Sequence, residues 1–176
     1  KSGEPPLSDL LKEIAAGKIQ LPDFQRGWVW DDNHIRSLIA SVSLSYPVGA
    51  VMLLQTGGNG AQFQPRPVQG VVLNDGQKPD YLILDGQQRM TSLYLSLFND
   101  KPVQTTTEKK IDIERYYYLD LIKCLDVNED RIDAVVSVPA EKKITSDFGR
   151  KIEMDLTTLE MEFEQCLFPL NIVYDN

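Results

Sequence analysis

The sequence predicts a mixed α+β domain, on three observations. Apolar residues make up 42% and charged residues 25% of the 176 residues, which is ordinary globular composition and argues against a disordered chain. Some segments repeat apolar residues with the period of an α-helix, whereas short apolar runs between turn residues have the length of strands. The two kinds of segment are interleaved without strict alternation. At this length we expect a single domain over residues 1–176.

Four helices are predicted from apolar periodicity and end signals. The first has Ser8 as its N-cap and Gly17 just beyond its C-terminus. The second and third have the clearest pattern, because their apolar residues fall at i, i+3, i+4 and i+7. The second begins with Asp31 and Asp32, which suit the positive end of a helix dipole, and Pro47 stops it. The four helices cover residues 7–17, 31–45, 87–98 and 159–165.

Short apolar runs predict the strands. The run at 49–56 is typical of a buried strand, and the glycines after it predict a hairpin turn whose second arm is residues 61–64. Another strand is expected around 71–73, within a loop-rich stretch. The remaining strands are predicted at residues 18–21, 81–84, 116–121 and 134–138, and a last apolar piece covers 170–174.

Charge limits the classes of protein. Eighteen basic and 26 acidic residues give a net charge of −8, which argues against a generally basic nucleic-acid wrapper but leaves room for a local basic site. The longest uncharged stretch, residues 37–65, is too polar for a membrane span, and no signal peptide is visible. We therefore expect a cytoplasmic chain with no membrane partner.

Cysteine content and the first residue add two expectations. Cys124 and Cys166 lack metal-ligand spacing, which predicts two reduced thiols that act as small core residues. The chain begins at Lys1 without a methionine, which predicts a trimmed chain or a fragment of a longer protein.

The first candidate functional segment is the stretch 21–30. It contains two tryptophans, Phe24, Gln25 and Arg26 in a run with neither helical nor strand period. Such a run indicates either a loop that contacts a ligand or a buried loop whose aromatics cover the core, and the residues alone leave both open. In the first case Trp28 or Phe24 would contact the ligand.

The second candidate segment, residues 85–89, has the sequence Asp-Gly-Gln-Gln-Arg between a predicted strand and a predicted helix. The first turn of a helix has unpaired backbone N–H groups and the positive end of the dipole. Gly86 allows a ligand close to the backbone, and the forked guanidinium of Arg89 fits phosphate. These features indicate an anion site. The alternative is an ordinary strand–turn–helix corner with Asp85 as the N-cap.

Several common catalytic patterns are absent. No glycine-rich phosphate loop ending in Lys-Ser or Lys-Thr occurs, and no G-x-G-x-x-G opens a helix. His34 is the single histidine, which argues against a zinc site or a Ser-His-Asp triad.

Taken together, the two segments resemble the N-terminal domain of GmrSD-type proteins. The similarity extends to the tyrosine-rich stretch 116–121 and to Phe168-Pro169-Leu170-Asn171, and it covers nearly the whole chain. The resemblance implies a ParB/sulfiredoxin-like fold, a mixed sheet with flanking helices. It also implies a place in modification-dependent restriction and anti-phage defence, where this domain is associated with nucleotide binding and hydrolysis and a separate C-terminal domain carries a His-containing nuclease.

The resemblance implies a nucleoside triphosphate site with Mg²⁺ as cofactor. Arg26 and Arg89 would stabilise charge on the phosphates, and Gln87 or Gln25 would orient the attacking water. Asp85 would hold Mg²⁺, orient a water or cap the helix. The expected catalytic residues are Asp85, Arg89, Arg26 and Gln87, and the expected nucleotide-binding residues are Gln25, Arg26, Gly86, Gln87, Gln88, Arg89 and Thr91.

The expected function is therefore that of an NTPase domain in a defence protein, coupled to DNA cleavage by a C-terminal effector domain or a partner subunit. DNA would be contacted through the full-length protein. Two alternatives stay open. One is a DNA nickase or nuclease that uses the same Asp and Arg residues, although a net charge of −8 disfavours duplex binding. The other is a non-catalytic sensor of a nucleotide or of modified DNA.

Overall fold

The computed structural model of the protein describes residues 5–58, 63–74 and 76–174. Helices and several sheets are both present, which confirms the α+β class. The chain divides into two compact units: Lys1–Val29 with Gly49–Leu95, and Trp30–Val48 with Ser96–Asn176. The single domain and the ParB/sulfiredoxin-like topology stay predictions.

The described ranges contain six α-helices and ten strands. The helices are α1 (Leu7–Ala15), α2 (Asp32–Ser43), α3 (Gln87–Leu97), α4 (Leu121–Leu125), α5 (Arg131–Ala134) and α6 (Leu159–Glu164). The strands are β1 (Ile19–Pro22), β2 (Met52–Gln55), β3 (Pro65–Arg66), β4 (Tyr81–Asp85), β5 (Val103–Thr106), β6 (Asp112–Asp120), β7 (Val135–Pro139), β8 (Lys143–Ser146), β9 (Lys151–Asp155) and β10 (Leu167–Pro169). Within those ranges, no helix is long and apolar enough to cross a membrane.

The first unit is built on a four-stranded mixed sheet in the order β2-β4-β1-β3. β1 and β4 pair in parallel, whereas β2 and β3 are antiparallel to their neighbours. The two central strands have buried apolar side chains because both of their edges are paired. The buried apolar residues of α1, β1, β4 and α3 include Leu11, Ile14, Ile19, Leu21, Leu82, Ile83, Met90 and Leu93.

Several local predictions in the first unit are wrong. α1 begins one residue before Ser8, whose hydroxyl donates to Asp9 instead of capping the helix, although Gly17 does adopt the expected positive φ of 67°. β2 is a partly exposed edge strand, not a buried one, and its partner is β4. Residues 71–73 form no strand. The predicted hairpin arm at 61–64 begins on residues 61–62, which lie outside the described ranges.

The second unit contains an antiparallel sheet centred on the long strand β6. β5 and β10 pair with its two ends, β7 pairs with it as well, and β8 and β9 form a separate hairpin. β5, β8, β9, β10, α4 and α5 were not predicted, because their sequences are short and weakly periodic. The core of this unit includes Tyr118, Val138, Leu156 and Leu167.

The helix at the start of the second unit agrees with its sequence signals. The side chain of Asp31 caps α2 by accepting a hydrogen bond from the N–H of His34, and its four buried residues lie on the predicted face or beside it. The expectation for the cysteines is only partly met. Cys124 and Cys166 are free thiols, but both are half-buried and not core residues.

Candidate functional site

A sharp turn places the start of α3 directly after β4. Gly86 has φ +88°, a backbone conformation that a side chain disfavours, and its carbonyl accepts the N–H of Met90 as the first bond of the helix. Asp85, the last residue of β4, therefore lies next to the first turn of α3. Of the described residues, none accepts a hydrogen bond from the backbone N–H of Gln87 or Gln88. Such N–H groups at the positive end of a helix favour an anion.

Two side-chain amides join the predicted segments 21–30 and 85–89. Gln87 donates to the carbonyl oxygen of Arg26 at 2.8 Å, and Gln88 donates to that of Gly27 at 3.1 Å. The Oε1 of Gln88 also accepts the backbone N–H of Val29 at 3.0 Å. An amide side chain has both a hydrogen-bond donor and an acceptor, so one glutamine can bond to a backbone carbonyl and to a backbone N–H of an irregular segment. The two segments therefore form one hydrogen-bonded surface of the first unit.

The segment is also held from β4 and β3. The amide of Gln25 donates to the carbonyls of Ile83 at 2.6 Å and Leu84 at 3.0 Å. The guanidinium of Arg66 donates to the carbonyls of Gln25 and Arg26, each at 3.0 Å. Sequence reasoning missed Arg66. The signal that could have found it is an arginine between two prolines in a stretch whose sequence is rich in loop residues.

Arg89 is fixed against the turn. Its Nη2 donates to the carbonyl of Ala50 at 2.8 Å and lies 3.3 Å from a carboxylate oxygen of Asp85. The guanidinium packs on two glycines with positive φ. A Cβ at Gly49 would overlap it, and a Cβ at Gly86 would lie 3.3 Å from its Nη2. The arginine side chain is one-fifth exposed, so its charge is positioned but still reaches solvent.

Asp85 faces solvent, with 71% of its side chain exposed, and its carboxylate pairs with Arg89 at i,i+4. Across the described part of the chain, it accepts no bond from the N–H of Gln88, so the helix-capping geometry of the alternative reading is absent. An exposed ion pair of this kind is weak. A phosphate can therefore compete with Asp85 for Arg89 at little cost.

The other predicted site residues differ in accessibility. Arg26 is exposed, as is Phe24, whose ring meets Phe63 edge-on at 5.0 Å. Trp28 is half-buried and donates from its indole to the hydroxyl of Ser92 at 2.9 Å. Thr91 is fully buried, and its hydroxyl has no partner among the described residues. In this conformation the hydroxyl of Thr91 does not reach the surface on which Asp85 lies.

Fold and site together define an α+β protein whose Gln-Arg segment is bonded to the Asp-Gly-Gln-Gln-Arg turn of a helix. Residues 7–166 match the family model described as GmrSD restriction endonuclease, N-terminal domain. The chain belongs to this family, as its two segments predict. It is also 33% identical over 132 residues to an uncharacterized protein of Methanocaldococcus jannaschii, an alignment that covers 72% of this chain. The alignment takes in 21% of that relative, so the chain spans about a fifth of its length.

Proposed function

We propose that this chain binds a nucleoside triphosphate at the start of α3 and hydrolyses it, within a longer restriction protein. The observation that carries the proposal is the hydrogen-bonded joint between residues 25–29 and 85–89. It brings the backbone of Arg26 to the same turn that holds Arg89. This joint supports a site in which Arg26 and Arg89, 63 positions apart in the sequence, both contact the phosphates.

The start of α3 supplies what a phosphate chain needs. The backbone N–H groups of Gln87 and Gln88 lie in the first turn of the helix, where unpaired donors and the positive end of the dipole favour an anion. Arg89 adds a charge that is fixed by the carbonyl of Ala50 and by the glycine at position 49. Because these donors are held in place before a ligand arrives, little ordering is required when phosphate binds.

In the proposed reaction, the oxygen of a water molecule forms a bond to the γ-phosphorus, and the bond from that phosphorus to the oxygen bridging the β-phosphate breaks. The products are a nucleoside diphosphate and inorganic phosphate. Arg89 and Arg26 stabilise the negative charge on the phosphate oxygens. The Oε1 atoms of Gln87 and Gln25 accept no hydrogen bond within the described ranges, so either can accept one from the attacking water.

Asp85 suits a magnesium ion that also contacts the substrate. Mg²⁺ commonly binds one or two protein carboxylates together with substrate phosphates and waters. Asp85 carries an exposed carboxylate at the end of β4, and within the described part of the chain no group of three or more candidate ligands lies together. When bound, the ion would neutralise charge on the phosphates, with Asp85 as its protein ligand.

We further propose that nucleotide turnover controls DNA cleavage by a part of the protein outside this chain. The family is named for a restriction endonuclease, of which this is the N-terminal domain, and the chain spans about a fifth of its archaeal relative. The partner would be a C-terminal effector domain or a separate subunit. Most of the contacts to DNA would come from the rest of the complete protein, since this chain has a net charge of −8.

The test is a hydrolysis screen of the four common nucleoside triphosphates with Mg²⁺, on this chain and on the full-length protein. Arg89→Ala should lose triphosphate binding or turnover by about tenfold or more, because it removes a charge-assisted phosphate contact. Arg150→Ala is the matched control, since Arg150 is exposed and lies far along the sequence in the second unit.

Each outcome has a clear meaning. Parental turnover in a folded Arg89→Ala variant would remove Arg89 from the site. Tight binding without turnover in the full-length protein would contradict the NTPase and support the non-catalytic sensor. Cleavage or nicking of DNA by this chain alone, without nucleotide, would support the nuclease alternative.

A further inference from the structure

A charged recess in the second unit is separate from the segments described above. It has a volume of about 450 Å³, which lies in the range of small-molecule sites. Apolar residues are a minority of its lining. Its charged residues are Asp32, Arg36, Arg115, Lys123 and Asp133, and the rest of the lining is Val135, Val136 and Ser137.

Three cations from three different elements converge on this recess: Arg36 from α2, Arg115 from β6 and Lys123 from α4. None of the three forms an ion pair with a described residue. Arg36 is fixed by backbone carbonyls, since it donates to Val135 at 2.9 Å and to Ile132 at 3.0 Å. The backbone of Arg115 is paired within the sheet, but its guanidinium makes no hydrogen bond to the residues that the structure describes. The N–H donors of this guanidinium are therefore available to a ligand.

The carboxylates of the recess form no ion pairs with these three cations among the described residues. Asp32 accepts hydrogen bonds from the hydroxyls of Tyr117 at 2.9 Å and Ser137 at 2.6 Å. Burial raises the pKa of Tyr117 well above its usual range, and the charge of Asp32 raises it further, so the phenol stays protonated and keeps donating. Asp133 is exposed, and Lys123 donates at 3.3 Å to its backbone carbonyl.

The charge of the recess is opposite to that of the chain. Three cations and two carboxylates give its lining a net charge of +1, whereas the whole chain carries −8. Holding unpaired cations together costs free energy, because like charges repel and partial burial weakens their solvation. An anionic ligand would remove that cost.

We propose that this recess binds a phosphate ester of the nucleotide class, with Arg115 as its main contact. The planar fork of arginine matches two phosphate oxygens at once, and Arg36 and Lys123 add charge from two other sides. Asp133 would repel a bare polyanion, but its carboxylate can accept a hydrogen bond from a sugar hydroxyl beside the phosphate. A free nucleotide and a nucleotide within DNA present this same chemistry.

The test is an NMR titration of the whole chain with adenosine 5′-monophosphate and, separately, with a short DNA duplex. The readout is the shift of the Arg115 side-chain N–H and of the backbone N–H groups of Val136 and Ser137, which separates this recess from the start of α3. Arg115→Gln should weaken the binding about tenfold or more. Arg150→Gln changes the net charge equally at an exposed position and should stay within about twofold of the parent.

The outcomes divide as follows. Shifts at the recess with the monophosphate alone identify a free nucleotide as the ligand, and shifts with the duplex alone identify DNA. Either result supports the site. No shift at the recess with either probe would overturn the proposal, and so would Arg115→Gln binding like Arg150→Gln. If Arg115→Gln does not fold, Lys123→Gln on α4 should show the same loss, and parental affinity in that variant would overturn the proposal. Loss of turnover at α3 has no bearing on these results.

Discussion

Two regions of the molecule use polar side chains in opposite ways. At the start of α3, glutamines and arginines bond to backbone carbonyls, and the charged pair Asp85–Arg89 is largely open to solvent on the Asp85 side. In the second unit, the carboxylate of Glu162 is buried beneath the hydroxyl of Tyr118 at 2.7 Å and the ammonium of Lys142 at 2.9 Å.

The difference shows what each region contributes. A buried carboxylate must keep its partners, because removing one leaves a charge or donor that neither protein nor water satisfies. The hydroxyl of Tyr118 stays protonated and keeps donating, since burial raises its pKa well above the usual range and the hydrogen bond to Glu162 raises it further. The exposed pair at α3 can be broken cheaply. The Glu162 cluster therefore stabilises the fold, whereas the α3 turn is free to exchange partners with a ligand.

The largest expected effect on stability is at Glu162. Glu162→Ala should lower the free energy of unfolding by about 3 kcal/mol, because it leaves Tyr118 and Lys142 without their acceptor. Chemical denaturation measures this. Glu164→Ala on the same helix is the control, since Glu164 is exposed and should change stability by less than about 0.5 kcal/mol. Equal effects of the two variants would show that the buried cluster is not a stabilising element.

The next largest effect on stability is expected at Gly49, whose backbone packs against the guanidinium of Arg89. Gly49→Ala should destabilise by about 1–2 kcal/mol from the positive φ alone, and the new Cβ should also displace the guanidinium of Arg89. Gly57→Ala isolates the second effect, because Gly57 has a similar φ of 87° but no described residue within 4 Å of its Cβ position. We expect triphosphate affinity to fall in Gly49→Ala and not in Gly57→Ala. A fall in both would point to general destabilisation.

A smaller, pH-dependent effect is expected at Asp31. Burial acts to raise the pKa of Asp31, but the hydrogen bonds from His34 outweigh it and hold the pKa below its ordinary 3.8. A depressed pKa contributes stability above the ordinary value, and this stability is lost as the pH falls through the lower native value. Melting curves should therefore show a loss below about pH 4. Asp31→Asn keeps a helix cap without a titrating group and should lack that part of the loss.

The smallest effect on stability is at Asp85. Asp85→Asn breaks an exposed ion pair and should change the free energy of unfolding by well under 1 kcal/mol. If Asp85 holds Mg²⁺, the same variant should abolish Mg²⁺-dependent turnover. A hydrolysis rate equal to the parent across a Mg²⁺ titration would remove Asp85 from the catalytic residues.

Local features of this fold could be predicted from sequence, and long-range ones could not. α2 and β4 were located because periodicity, caps and turn residues are local signals. The prediction that β2 is buried is wrong, because apolar content does not reveal whether a strand has one neighbour or two. The same limit applies to the candidate site. Its two segments were recognised, but the roles of Arg66 and Gly49 depend on partners about 40 positions away.

The most direct measurement of the central claim is an NMR titration of the chain with a non-hydrolysable nucleoside triphosphate and Mg²⁺. If a phosphate binds at the start of α3, the largest shifts should fall on the backbone N–H groups of Gln87 and Gln88 and on the side chain of Arg89. Arg89→Ala should reduce these shifts at the same ligand concentration. A bound nucleotide that leaves Gln87 and Gln88 unshifted while it moves other residues would contradict the site.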